Sequence, residues 1–227
     1  MKSNISIIIP ILNEEKVIES FLRELSTLKG EKEIILVDGG STDNTVEIAS
    51  KYGKVVKSKK GRAFQMNAGA KAATGEVFWF LHCDSKIEED SLNRIEKAIN
   101  EGYVGGGFSL NFYDLNSKFM KFVSITSNWR AKYLGYYFGD QAIFVKKEIF
   151  EAMGGFKEID IMEDWDFSCK LKKIGKMKMI KSTVGTSARR FKQGGQLKTL
   201  LLMHKIKILY MLGVSPSKLN KIYREAR

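Results

Sequence analysis

Cysteine and histidine are scarce in this chain of 227 residues, with two of each. Cys83 and Cys169 lie in separate segments without paired spacing, which excludes a disulfide framework and predicts a reducing compartment, the cytoplasm. Nothing in the spacing of these four residues matches a zinc centre. No run approaches the ~20 apolar residues that span a bilayer. The opening apolar stretch Ile5–Leu12 lacks the small-residue cleavage site of a signal peptide and meets Asn13-Glu14-Glu15 at once, so it predicts a buried strand entering a helix. Acidic residues are missing from one end: residues 170–227 carry 16 basic side chains and one acidic, whereas residues 1–169 carry 22 basic and 25 acidic. The excess behind the net charge of +12 is therefore C-terminal, and any anion is met there. That end shows neither interleaved aromatics nor a reading motif, which argues against nucleic acid and favours an anionic membrane surface.

What is present is an apolar content of 44%, enough for one compact core. Ile5–Leu12 is followed by helical spacing at Val17, Ile18, Phe21, Leu22 and Leu25. Strand Ile34–Val37 precedes Ser41–Thr45, which supplies caps for a helix carrying Val46, Ile48 and Ala49. A short strand at 54–57, a close-packed helix at 62–73 and a buried strand at 77–81 continue the alternation, which predicts a mostly parallel sheet flanked by helices. After Gly105-Gly-Gly107 the pattern becomes mixed: a strand at 108–113, an aromatic-rich helix through Trp129, a strand at 142–145 and a helix after Glu163. No repeat or linker divides the chain. Residues 1–190 read as one α/β domain, and 191–227 as a basic and apolar helical extension packed on it.

Three acidic landmarks fall at the ends of apolar runs: Asp38, Asp84 and the pair Glu163-Asp164. In an open α/β sheet, ligands bind outside the carboxyl ends of the strands, so these acids stand where a nucleotide and its metal would be met. Ile8-Ile-Pro-Ile-Leu-Asn-Glu-Glu15, Val37-Asp-Gly-Gly-Ser-Thr-Asp43, His82-Cys-Asp84 and Glu163-Asp164 resemble, in order and spacing, the family 2 glycosyltransferases of GT-A fold. Gly61–Gly69, Gly139–Ala142 and Ser187–Phe191 are similar to a bacterial subgroup linked to arsenosugar biosynthesis. The resemblance implies transfer, with inversion, of a sugar from a nucleoside-diphosphate sugar to an acceptor.

It also implies roles. Pro10, Leu12, Glu14 and Asp38 would wall the base and ribose. Asp84 would hold a divalent cation, Mg²⁺ or Mn²⁺, through a hard oxygen ligand. Asp164 would be the catalytic base, in reach of the acceptor hydroxyl. Two positions depart from the family pattern. His82 replaces the first acid of the metal motif and would bond a ribose hydroxyl or phosphate, and Gly39 replaces the second acid beside Asp38. Arg62, Arg189 and Arg190 suit phosphate contact, with Arg189-Arg190 on a flexible segment. Asp140, Gln141 and Glu163 are acceptor contacts in this reading, with Tyr133, Tyr136 and Tyr137 as stacking surfaces.

Structural readings stand beside these: Asn13 and Ser41–Asp43 as helix caps, Glu163-Asp164 as helix N-terminal charges. Rival functions are a nucleotidyltransferase, which would want glycines and basic residues after the first strand where Ile11–Glu15 has acids, and a non-catalytic membrane adaptor. On a helical wheel, 197–212 has two apolar faces, separated by Lys198 and Lys205 on one side and Lys207 on the other. One face packs on the domain. The other, expected to carry Leu202, Ile206 and Leu209, meets either a membrane holding a lipid-linked acceptor or a second copy in a homodimer.

Overall fold

The fold is built on β1 (Ile5–Ile11), whose alternate residues feed two cores. Ile5, Ile7, Ile9 and Ile11 join Ile18, Phe21, Leu22 and Leu25 of α1 (Ile18–Ser26) on one side, while Ile8 joins the opposite cluster. Each isoleucine of β1 is buried and contributes roughly 1.5–3 kcal/mol. The computed structural model describes residues 4–225. Pairing follows β2 (Lys32–Asp38), α2 (Thr45–Ala49), β3 (Lys54–Lys57), α3 (Arg62–Ala72) and β4 (Val77–Phe80), and β1, β2, β3 and β4 are all parallel.

The second half adds α4 (Ser91–Asn100), β5 (Gly105–Phe112), α5 (Lys118–Trp129), β6 (Phe144–Lys146), α6 (Lys147–Ala152), α7 (Glu163–Ile174) and β7 (Met177–Thr186). The seven strands run β3-β2-β1-β4-β6-β5-β7, with β6 antiparallel to both neighbours and β5 parallel to β7. β1 lies between β2 and β4, so the chain winds outward in opposite directions on its two sides. That switch point opens a crevice at the carboxyl edge. Because β6 is reversed, the segment entering it, Gly139–Ala142, reaches the same edge.

Several expectations are corrected. β5 begins at Gly105 because the glycines are part of the strand: a Cβ on Gly106 would collide with the Lys178 carbonyl, and one on Gly107 would stand 2.6 Å from the Tyr137 ring. Glycine, a poor strand former, is required by close approach there. β7, α4 and α6 lie in segments where no element was anticipated. Within Ser41–Thr45 it is Asp43 that meets the start of α2, its Oδ1 accepting from Thr45 N–H at 3.0 Å, while Asn44 at the N-cap makes no side-chain cap bond. The segment also binds the loop after β1: Ser41 Oγ accepts from Asn13 N–H at 3.0 Å, Thr45 Oγ1 from Glu14 N–H at 2.7 Å, and Asn13 Oδ1 from Thr42 N–H at 2.8 Å.

Arg189 and Arg190 open helix α8 (Arg189–Gly194) rather than a flexible loop, followed by α9 (Gln196–Met211) and α10 (Pro216–Glu225). The face of α9 bearing Leu202, Ile206 and Leu209 is the packed one, joined with Ile161, Met162 and Leu219 in one apolar cluster. The spare face is Leu197, Leu201, Ile208 and Met211, continued by Leu212, all exposed. The two-faced pattern holds, but the wheel carries no information about which face the domain covers. No helix among the described residues is long and apolar enough to cross a membrane.

Candidate active site

The loops after β1 and β2 are locked together from beneath. Gln65 of α3, buried, donates through Nε2 to the Ile11 carbonyl at 2.9 Å and the Val37 carbonyl at 2.8 Å. A Cβ on Gly39 would lie 3.0 Å from the Gln65 amide, so the glycine that replaces the family's second acid makes room for this brace. Asp38 is buried, and its oxygens accept from Gly40 N–H at 3.1 Å and Ser41 N–H at 3.0 Å, which shapes the loop wall. Pro10, Leu12 and Glu14 follow on β1 and its loop, all half-buried. Burial raises the Glu14 carboxyl pKa, Arg189 works against that rise, and the charges of Asp84 and Asp43 add to it. These effects place Arg189 of α8 and Asp84 after β4 in the electrostatic neighbourhood of Glu14.

Asp84 is half-buried at that edge. No cluster of three or more metal-ligating side chains exists among the described residues. A hard divalent cation is commonly held by one or two carboxylates plus substrate phosphates and water, and the half-buried carboxylate of Asp84 at this edge fits the single-carboxylate form of that donor set.

A second corner of this edge is assembled from three distant segments. Asp164, in the first turn of α7 and 8% exposed, accepts from Gly139 N–H through Oδ2 at 2.8 Å and from Trp165 N–H through Oδ1 at 2.7 Å. Gly139 lies between Asp164 and His82: a Cβ there would stand 2.9 Å from His82 Nε2 and 3.4 Å from Asp164 Oδ2. Burial, with Arg62 adding, pushes the His82 imidazole down to about 4. It is therefore neutral near pH 7 and offers one N–H and one lone pair.

Glu163 is 1% exposed and ion-paired to Arg62 Nε at 2.8 Å, so it is a brace rather than the acceptor contact expected. Burial raises its carboxyl pKa; Arg62 works against that and Asp164 adds to it. Gln141 is fully buried, its Oε1 accepting from Arg130 at 2.7 Å and its Nε2 donating to the Phe108 carbonyl at 3.3 Å. With both amide ends engaged inside the protein it too is corrected from acceptor contact to support. Asp140 does line a cleft, and burial raises its pKa, opposed by Arg130 and reinforced by Asp164.

That cleft, about 570 Å³, runs from Arg62, Asp140 and Asp164 between α5, α9 and α10. The two adjacent arginines diverge: Arg190 lines the cleft and donates to the Tyr223 hydroxyl at 2.6 Å, whereas Arg189 acts on Glu14. The three tyrosines lie elsewhere. Tyr137 is core, Tyr136 packs on Trp165 at 4.9 Å, and Tyr133 is exposed against Trp129. Phe138 is one of the rings in the cleft wall, with Arg130 at 4.4 Å and Lys207 at 5.6 Å from its centroid. Burial, with Arg130 adding, lowers the Lys207 pKa to about 8. Sequence reasoning missed Gln65, Arg130 and Lys207. Gln65 left a signal as part of the Gly61–Gly69 motif, and Lys207 as the charge set apart between two apolar faces.

Comparison with known proteins finds glycosyltransferases. A glycosyltransferase of Mycobacterium tuberculosis named for PGL/p-HBAD biosynthesis is 30% identical over 188 residues, covering 73% of this chain and 68% of that one. The mannosyltransferase PcManGT from Pyrobaculum calidifontis, solved with GDP-Man and Mn²⁺, superposes with a TM-score of 0.68 at 20% identity over 100% of this chain and 70% of its own. TarS 1-349 of S. aureus gives 0.64 at 20% identity, covering 82% of this chain, which spans 60% of TarS 1-349. The family model described as glycosyl transferase family 2 matches residues 6–157, more than half of the chain, and the mostly parallel sheet with β6 reversed is the GT-A architecture of its structural neighbours. This chain thus belongs to glycosyl transferase family 2.

Proposed function

We propose that the protein transfers a sugar, with inversion and with a divalent cation, from a nucleoside-diphosphate sugar to an acceptor hydroxyl. The observation that carries this reading is the buried carboxylate Asp164, aligned by two backbone N–H groups at the head of a cleft and on the same sheet edge as Asp84. Asp164 takes the proton from the acceptor hydroxyl. The acceptor oxygen then bonds to the anomeric carbon while the bond from that carbon to the diphosphate breaks, and the nucleoside diphosphate leaves with the electron pair. A cation held by Asp84 would supply charge stabilisation to the leaving diphosphate. Arg189 suits the same phosphates, and neutral His82 a ribose hydroxyl or phosphate oxygen. The GDP-Man and Mn²⁺ of the PcManGT complex support a donor and metal of this kind.

A thermal-shift screen of UDP, GDP, CDP and dTDP, each with and without Mn²⁺, tests the reading. One nucleotide at about 100 times its Kd stabilises the native state by ~2.7 kcal/mol. A flat response to all four, with and without metal, sinks it.

A membrane-surface setting is a second reading, favoured by the exposed apolar face of α9 and by exposed Phe122, Ile125 and Trp129 of α5. These stand with the basic C-terminal end, so binding to anionic vesicles should weaken with salt while an apolar part persists. In liposome flotation, Leu201→Glu with Ile208→Glu is expected to remove the salt-resistant part. Absence of liposome binding together with a stable dimer by light scattering would replace the membrane with a homodimer interface.

A further inference from the structure

We infer that the acceptor is an anionic amphiphile: its apolar body occupies the cleft between α5, α9 and α10, its anionic group pairs with Lys207, and its hydroxyl meets Asp164. This rests on the transferase reading for the acceptor role. Three observations carry it independently of any donor.

The cleft wall is apolar along most of its length, with Leu110, Val123, Phe191, Leu200 and Met203 facing about 570 Å³ that begins at the catalytic carboxylate. A free sugar has no apolar body to match such a wall, whereas an alkyl or aryl chain does. Lys207 is half-buried in that wall and has no carboxylate within ion-pair distance among the described residues, its ammonium resting near the Phe138 ring. Five arginine and lysine side chains line the cleft against three aspartates, so the excess charge is positive. Asp140 acts on this ammonium only from beyond ion-pair distance, so an anion delivered with the ligand would supply the direct partner it lacks.

The third observation is Asp140, which lines the cleft and whose Oδ1 is buried with no hydrogen-bond partner among the described residues. It is a ready acceptor for a ligand hydroxyl near Asp164, since leaving such an oxygen unpaired is costly. The rim carries exposed Trp129 on one side, and the adjoining face of α9 exposes Leu197 and Leu201. An amphiphile entering from a lipid surface would cross apolar ground on the way to the base.

The test is calorimetric titration of the full chain, below each probe's micelle concentration, with dodecyl phosphate, dodecyl β-glucoside, dodecyltrimethylammonium and inorganic phosphate. Dodecyl phosphate should bind most tightly, by about tenfold over the glucoside, and inorganic phosphate should not register at that concentration. Lys207→Gln should bring dodecyl phosphate down to the level of the glucoside. Met203→Trp, or Thr126→Trp on the opposite wall if the first does not fold, should fill the cleft and abolish binding of both. Equal affinity for the three dodecyl head groups, or dodecyl phosphate affinity unchanged in Lys207→Gln, overturns the proposal. The Mn²⁺-dependent nucleotide shift, followed in the same proteins, separates the two readings. Nucleotide binding without amphiphile binding rejects the acceptor class alone, while amphiphile binding without any nucleotide response rejects the transferase role and leaves the cleft's ligand class standing.

Discussion

Replacing Asp164 with asparagine is expected to lower turnover by ~10² to 10⁴-fold while donor affinity changes only a few-fold, because a general base contributes about that much to the chemical step. The geometry adds a structural term. Asp164 accepts two backbone N–H bonds, from Gly139 and Trp165, one on each carboxylate oxygen. An asparagine offers one oxygen and one NH₂, so one of those N–H groups must face another donor, at a cost of about 1–3 kcal/mol. The variant should therefore lose some stability as well as rate. Release of nucleoside diphosphate, followed beside donor calorimetry, separates the effects: loss of a base lowers the rate at near-normal donor affinity, whereas a shifted loop lowers both. Near-normal turnover in the variant would reduce Asp164 to a helix-end acid that anchors Gly139.

Asp84→Asn is expected to abolish most of the metal-dependent gain in nucleotide affinity. Substitutions that merely orient a metal ligand cost ~10 to 100-fold in metal affinity, so loss of the charged ligand itself should cost at least that much. Mn²⁺ titrated against nucleotide by calorimetry reads the effect directly, while the metal-independent part of nucleotide binding should survive. A companion signal comes from Glu14, whose carboxyl pKa is raised by burial and, in part, by the Asp84 charge. Neutralising Asp84 should move Glu14 downward in an NMR titration, even in metal-free protein. Unchanged metal dependence in the variant would remove Asp84 from the metal site.

The parallel half of the sheet was legible because β1, β2 and β4 are short apolar runs between helical or turn-forming segments, and such runs have few other places to go. β7 was not, since Met177–Thr186 mixes lysines, a glycine and hydroxyl residues, and its strand form depends on pairing with β5 across a register shift at Phe108 and Ser109. Local propensity carries no record of that partner. The same limit applied to Ser41–Thr45, whose residue types read as caps: Asp43 does meet the first N–H of α2, but the bonds of Ser41 and Thr45 to the loop after β1 left no local sign.

By its order of motifs alone the chain declared the family, the sheet edge that carries its acids, the basic end and the two-faced character of α9. Those features are local: they depend on residue type, spacing and period, which a linear chain displays. Tertiary structure alone decided that Glu163 and Gln141 are braces for Arg62 and Arg130, that Gly39 yields to Gln65, and that Leu197 and Leu201 rather than Leu202 and Ile206 are exposed. It also set Lys207 in the wall of an apolar cleft beginning at Asp164. Each of these depends on residues from separate segments, and which partner a side chain meets is settled only when helices pack on the sheet and burial makes an unpaired polar group costly.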